Sequence, residues 1–192
     1  VGDVAQEAAS QFDPKNLAID DFSAQFSLKT LSADSLSFIV RNLSLKERSG
    51  LRVDDLYLRL VANRYGATLA NFQLDLPHTS LRLDTVWASF PVHGEQPVDF
   101  APLNPFVIKG KMLPSYVTPS DFAPLVSKMA GVNEKVYLDA DFIGSPSRIN
   151  LKALNIYTAH RDLALSADAK LAIKDSRCDA LTLALHEATV TD

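Results

Sequence analysis

Residues 51–60, LRVDDLYLRL, and residues 81–90, LRLDTVWASF, read as two copies of one decade: three positions are identical and most others exchange one apolar residue for another. In both, apolar residues stand at the first, third, sixth, eighth and tenth places: Leu51, Val53, Leu56, Leu58 and Leu60, then Leu81, Leu83, Val86, Ala88 and Phe90. Alternation with period two marks a strand with one buried face, because successive side chains point to opposite sides of the pleat. The phase slips by one residue in mid-decade, and that would turn the second half inside out unless an extra residue is accommodated. Asp54-Asp55 and Asp84-Thr85 sit at the slip, where short polar side chains tolerate the backbone of a β-bulge or a sharp bend.

The same template fits LAIDDFSAQF at 17–26, LSADSLSFIV at 31–40 and ATLANFQLDL at 67–76, whose apolar set includes Leu69, Phe72, Leu74 and Leu76. It fits less faithfully at INLKALNIYT, 149–158, and SRCDALTLAL, 176–185. Turn signals separate the copies: Lys46-Glu47-Arg48-Ser49-Gly50, Asn63-Arg64-Tyr65-Gly66 and Pro77-His78-Thr79-Ser80. A serial β-structure of antiparallel neighbours follows, each strand placing its apolar side chains on the same face. Two arrangements fit. One is an ordinary β-sandwich. The other is a single long, elongated and curved antiparallel sheet, favoured by the extent of the apolar face and the lack of a second set of strands of different character.

From Pro91 to Pro124 the pattern breaks, since seven of the ten prolines lie there and cannot donate to a ladder. Residues 1–105 and 106–192 are therefore read as two β-repeat segments of one continuous unit, the second opening with a strand over Phe106–Met112. At 118–131, TPSDFAPLVSKMAG, the spacing predicts one short helix: Thr118 at its cap, Pro119 in the first turn, Asp121 completing a capping box and Gly131 at the end. Pro124 removes a helical hydrogen bond, so a break or two short turns is expected within it. This element would cap an open end of the core or act as a lid over a groove. Val1, Val4, Ala5, Ala8, Ala9 and Phe12 also have helical spacing, and the start at Val1-Gly2-Asp3 leads to the expectation of a piece cut from a longer chain.

Chemistry is hard to place on this chain. His78, His93, His160 and His186 are scattered, with no pair at the i, i+4 spacing of a metal site. Cys178 stands at an inward position and reads as a small buried hydrophobe. The Asp20-Asp21 and Asp54-Asp55 pairs recur where the template slips, and neighbours in a strand face opposite ways. No glycine-rich phosphate loop occurs. Neither an enzyme, a cofactor nor a metal is expected. With 19 basic and 23 acidic residues the net charge of -4 offers nothing to a phosphate backbone, so nucleic acid is not expected as a partner. Between residues 41 and 82 seven basic groups face four acidic ones, a solvated strand face or a surface for lipid head groups.

The run LSLKERSGL at 43–51, then DDLYLRL, then LANFQLDLPHTSLRLD at 69–84, resembles the periplasmic part of the TamB proteins of Bacteroidetes, within the AsmA-like group. SDFAPLVSKMAGVNEKVYLDADFIGSPSRINLKALNI at 120–156 is similar to their block of a short helix, a strand, a glycine turn at Gly144 and another strand. The resemblance implies a segment of a long envelope protein in the periplasm of a Gram-negative bacterium, held to the inner membrane by a helix outside this chain. It implies a trough that carries phospholipid acyl chains between the two membranes. It also implies, as an alternative, an assembly scaffold for outer-membrane proteins working with an outer-membrane β-barrel partner. A plain structural β-domain is the remaining alternative. Under the lipid reading the fourteen lining residues are Leu51, Val53, Leu56, Leu58, Leu60, Leu69, Phe72, Leu74, Leu76, Leu81, Leu83, Val86, Ala88 and Phe90.

Overall fold

The structure, a computed structural model, describes residues 18–90, 106–145, 147–174 and 177–191, with the backbone alone for 174, 177 and 178. Eleven strands form one antiparallel open sheet: β1 (Ile19–Leu31), β2 (Ser35–Glu47), β3 (Arg52–Val53), β4 (Asp55–Asn63), β5 (Gly66–Asp75), β6 (Ser80–Ser89), β7 (Val107–Val117), β8 (Val136–Ser145), β9 (Arg148–Thr158), β10 (Leu163–Lys174) and β11 (Arg177–Val190). Each long strand lies between its predecessor and its successor in the chain, and the two-residue β3 pairs beside β2. Among the described residues there is no second sheet, so the sandwich arrangement is not what these strands build. Because β6 pairs directly with β7, the strands on either side of residues 91–105 belong to one sheet.

Short connections make this meander, and their polar residues do specific work. The Asn63 side chain accepts from the N–H groups of Tyr65 and Gly66, at 2.8 and 3.1 Å, closing the β4–β5 turn. A Cβ on Gly66 would stand 2.3 Å from the Ala88 carbonyl oxygen, so the neighbouring strand requires glycine there. At the β2–β3 turn the buried Glu47 carboxylate accepts from the Ser49 N–H at 2.7 Å and from the Ser49 hydroxyl, while Gly50 takes φ +97°. Hydrogen bonding from Ser49 holds the Glu47 carboxyl below the usual glutamate range despite its burial.

The mid-decade slips take three forms. Asn42, Asn71 and Ala153 adopt left-handed backbone with φ of 52°, 53° and 49°, inside β2, β5 and β9. Asn71 and Ala153 hold the fifth place in their decades, where the phase must change. Asn tolerates this conformation better than most residues, whereas Ala153 draws on outside support: its N–H donates to the Asp168 carboxylate of β10 at 3.0 Å. At Asp54 the chain bends between β3 and β4, and at Asp84 the slip matches the one at Asn71, so β5 and β6 stay in register throughout. The decade at 31–40 is a correction. Residues 32–34 form the β1–β2 turn, and the β2 slip falls at Asn42 within FIVRNLSL.

The single helix expected at 118–131 is a second correction, while the break into two short turns expected at Pro124 is present. Two 3-10 turns, Pro119–Phe122 and Ser127–Met129, replace it, with Pro124 in the turn residues between them. Thr118 makes no side-chain cap; its hydroxyl donates to the His78 carbonyl at 2.7 Å, and its N–H donates to the Thr79 hydroxyl at 3.0 Å. Asp121 accepts from the His78 N–H at 2.9 Å and meets the His78 ring Nδ1 at 3.0 Å instead of closing a capping box. Tertiary partners on the β5–β6 turn thus use the groups that a helix start would have used. The connection also reaches the β2–β3 turn, where Pro124 lies 3.8 Å from the place a Cβ on Gly50 would occupy. It thereby covers the strand ends around the buried Leu76 and Thr79. The strand expected over 106–112 is present as β7 but continues past Pro114, which sits at a register shift between Met112 and Ser115 where no ladder N–H is required. The N-terminal helical spacing, His93 and the side chain of Cys178 lie outside the described residues.

Candidate functional site

Antiparallel registers put cross-strand partners on the same face, so the ladders show which side chains share a surface. One row crosses all ten long strands: Leu28, Phe38, Leu60, Leu69, Val86, Gly110, Phe142, Leu151, Ala169 and Leu183. A second crosses them too: Leu31, Leu36, Ala62, Ala67, Ala88, Ile108, Gly144, Ile149, Leu171 and Leu181. No polar side chain interrupts either row. A third, broken by bulges, includes Phe26, Val40 and Leu58 on one side and Phe72, Leu83, Met112 and Ala140 further on, ending with Leu154, Ala167 and Leu185.

The fourteen sequence-derived residues fall on this face as follows. Leu60, Leu69 and Val86 belong to the first row, Ala88 to the second, and Leu58, Phe72 and Leu83 to the third. Leu56, Leu74 and Leu81 pair across β4, β5 and β6 nearer the strand ends. Val53 joins them through Leu45 of β2, and Leu51 stands in the connection before β3, its carbonyl accepting from the Glu47 N–H at 2.8 Å. Leu76 is buried just past the end of β5, where its backbone bonds to Thr79, and Phe90 stacks on Phe106 with ring centroids 6.0 Å apart. The lining set stopped at β6; beyond it the decade template reached β9 and β11, at 149–158 and 176–185, but not β7, β8 and β10, because bulges move the slip from strand to strand. Strict alternation in LALSADAKLAI, residues 163–173, was the available signal.

Side chains on this face shield one another, and no second layer covers them among the described residues. Val86 is 7% exposed because Gly110 opposite has no side chain: a Cβ there would lie 2.5 Å from the Phe142 ring and 2.8 Å from the Val86 methyl. Phe142 and Val86 therefore close over the gap in the row. A small buried cluster of Ala140, Leu154 and Ala169, flanked by Leu151, Ile156 and Leu171, continues the packing into β8–β10.

The opposite face is polar and aromatic. Tyr116, Tyr137 and Tyr157 stack across β7, β8 and β9 with centroids 5.9 and 5.1 Å apart, and Lys135 and Arg161 lie over the outer two rings. Trp87, Lys109, Lys111, Asp141 and Lys152 line a shallow cleft of about 540 Å³ there. The seven basic groups between 41 and 82 are all exposed. Asp168 has its carboxyl held below the usual aspartate range, chiefly by the Ala153 N–H and further by His186, whose Nε2 is 3.5 Å away. These carboxylate contacts pin turns and bulges; among the described residues no group of three His, Cys, Asp or Glu side chains could hold a metal. No described helix is long and apolar enough to cross a membrane. Compared with protein-family models, curated proteins and solved structures, the chain finds no match among any of the three.

Proposed function

We propose that this sheet is a segment of a lipid conduit: its apolar face bends into a trough that shields phospholipid acyl chains on their way between the inner and outer membranes of a Gram-negative cell. The full protein, in this reading, is of the TamB type, periplasmic and anchored in the inner membrane. One observation carries it, the pair of unbroken apolar rows across ten strands with no second sheet among the described residues to cover them. Each methylene left in water costs about 0.8 kcal/mol, so a surface that accepts an acyl chain sideways lowers the barrier along its whole length. The head group stays in solvent throughout, and lipid selectivity is low. Bends at Asn42, Asn71 and Ala153, and the β7–β8 connection reaching from β7 to the β2–β3 turn, support a face that is concave.

Native mass spectrometry of protein purified without detergent tests this. Phospholipid bound near one equivalent is expected, and Leu58→Glu or Leu74→Glu should remove it while the circular dichroism of the sheet persists. Lipid retained by both variants, or a protein that stays lipid-free when phospholipid is added back, would sink the reading. The exposed strands at either edge favour a second reading, an assembly scaffold that adds a strand of an outer-membrane client to β1 or β11. Client crosslinks confined to those strands, in protein that holds no lipid, would select it.

A further inference from the structure

Trp87 is the one tryptophan of the chain, and it stands on the polar face of β6 with 54% of its surface exposed among the described residues. A ring of that size on the wet side of a sheet forgoes the burial that makes tryptophan stabilising. The cleft of about 540 Å³ beside it takes Asp84 from β6, Lys109 and Lys111 from β7, Asp141 from β8 and Lys152 from β9. None of these five charged side chains joins an ion pair among the described residues. Lys109 lies over the Trp87 ring at 5.9 Å, and Lys152 acts on the Asp168 carboxyl from beyond ion-pair distance. The ladders fix the order of the groups. Trp87 pairs with Lys109, and two residues further along β7 the side chains of Lys111, Asp141 and Lys152 stand side by side across three strands.

We infer that this cleft binds an acidic oligosaccharide, a short chain of sugars carrying carboxylates, with Trp87 as the platform for one ring. Each group in the cleft has a counterpart in such a ligand. The face of an indole carries the negative side of its quadrupole and attracts the C–H-rich face of a pyranose. The lysine ammoniums make charge-assisted hydrogen bonds to carboxylates. Asp84 and Asp141 accept hydrogen bonds from sugar hydroxyls. Other ligands fit the set less well. A densely anionic one meets Asp141 between its two lysines, an apolar one strips water from five charges, and a neutral sugar makes no use of the three ammoniums. Neighbouring strands stand about 4.8 Å apart, so the face from β6 to β9 spans about 14 Å, which suits a few linked rings. The cleft lies on the face opposite the apolar rows, so this inference is independent of what those rows carry.

As the one tryptophan, Trp87 reports on its own site by fluorescence. Acrylamide should quench its emission readily in the whole chain, and a shielded Trp87 overturns the inference. Titration with a galacturonic acid oligomer should change the emission and saturate, with a dissociation constant of about 1 mM or below. The methyl ester of the same oligomer, whose carboxylates are masked, should bind about tenfold more weakly or less, and Lys111→Gln and Lys152→Gln should each weaken the acid form about tenfold. Trp87→Leu, followed by calorimetry, should lose binding. All three sites are exposed, and circular dichroism checks that the variants keep the sheet; if one does not, the comparison of acid and ester on the wild-type chain still decides. No saturable change with the acid oligomer overturns the inference. So does equal binding of acid and ester, or an equal response to oligoglutamate, which carries carboxylates without sugar rings. A response to phosphatidylglycerol vesicles and none to the oligomer overturns it as well, and gives the cleft to a lipid surface.

Discussion

Leu69 in β5 and Leu28 in β1 stand in the same row of the same face, yet Leu69 is largely shielded and Leu28 is 57% exposed. Their chemistry is identical and their alternation patterns are alike; what differs is the number of flanking strands. In the centre, β4 to β8, each apolar side chain has a neighbour on both sides, and these neighbours do the work that a second layer does in a sandwich. At β1 and β11 one neighbour is missing among the described residues. Such a sheet owes its stability to lateral packing, which is complete in the middle and incomplete at the described margins.

The largest effect that would sharpen this contrast is expected at Gly110. In Gly110→Val the new side chain must displace the Phe142 ring and the Val86 methyl, costing about 1–3 kcal/mol or more as overpacking; a lower urea midpoint checks it. An unchanged midpoint would mean that the centre packs loosely and that the distinction between middle and margin is wrong. Next comes a matched pair. Leu60→Ala in the centre should cost about 1.5–3 kcal/mol, whereas Leu28→Ala in the same row should cost less than about 1 kcal/mol, because little of its surface is buried to begin with. Equal losses at low protein concentration would break the comparison.

The smallest effect lies near the β11 margin, at Asp168. Its carboxyl is held below the ordinary aspartate value of about 3.9 by the Ala153 N–H first and His186 next. The folded-state value is depressed, so the stabilising contribution is fully present above the unfolded value and is lost as pH falls through the folded one. Wild type should therefore exceed Asp168→Ala in urea midpoint at neutral pH, and the gap should close in acid below about pH 4 as Asp168 protonates. A gap that persists at the lowest pH would show that the side chain acts through packing and not through its charge.

Much of this was legible in the chain. Period-two alternation announces strands, the turn residues between the decades announce antiparallel neighbours, and the mid-decade slip announces an extra residue. Other features were not legible, and for identifiable reasons. Thr118, Pro119 and Asp121 satisfy every local rule for a helix start, but His78 and Thr79 compete for the same polar groups from 40 residues away. A strand assignment at 31–40 failed because Ser32-Ala33-Asp34 carries the turn inside an apolar stretch, and a template read in a fixed frame passes over it. The lining set stopped at Phe90, although the template reached 149–158 and 176–185, because β7, β8 and β10 carry their register shifts elsewhere; at Ala153 the left-handed backbone has no side-chain signature, and Asp168 on the next strand receives its N–H.

By itself the sequence determined that this protein is a serial antiparallel β-structure with one apolar face, because alternation and turn chemistry act within a few residues. Only the tertiary structure decided that the described strands share one open sheet, that two apolar rows run unbroken across its ten long strands, and that Thr118 and Asp121 bind the β5–β6 turn instead of capping a helix. Those outcomes depend on register and on contacts between residues far apart in the chain. Where a row ends depends on which strand has no neighbour, and no local pattern specifies that.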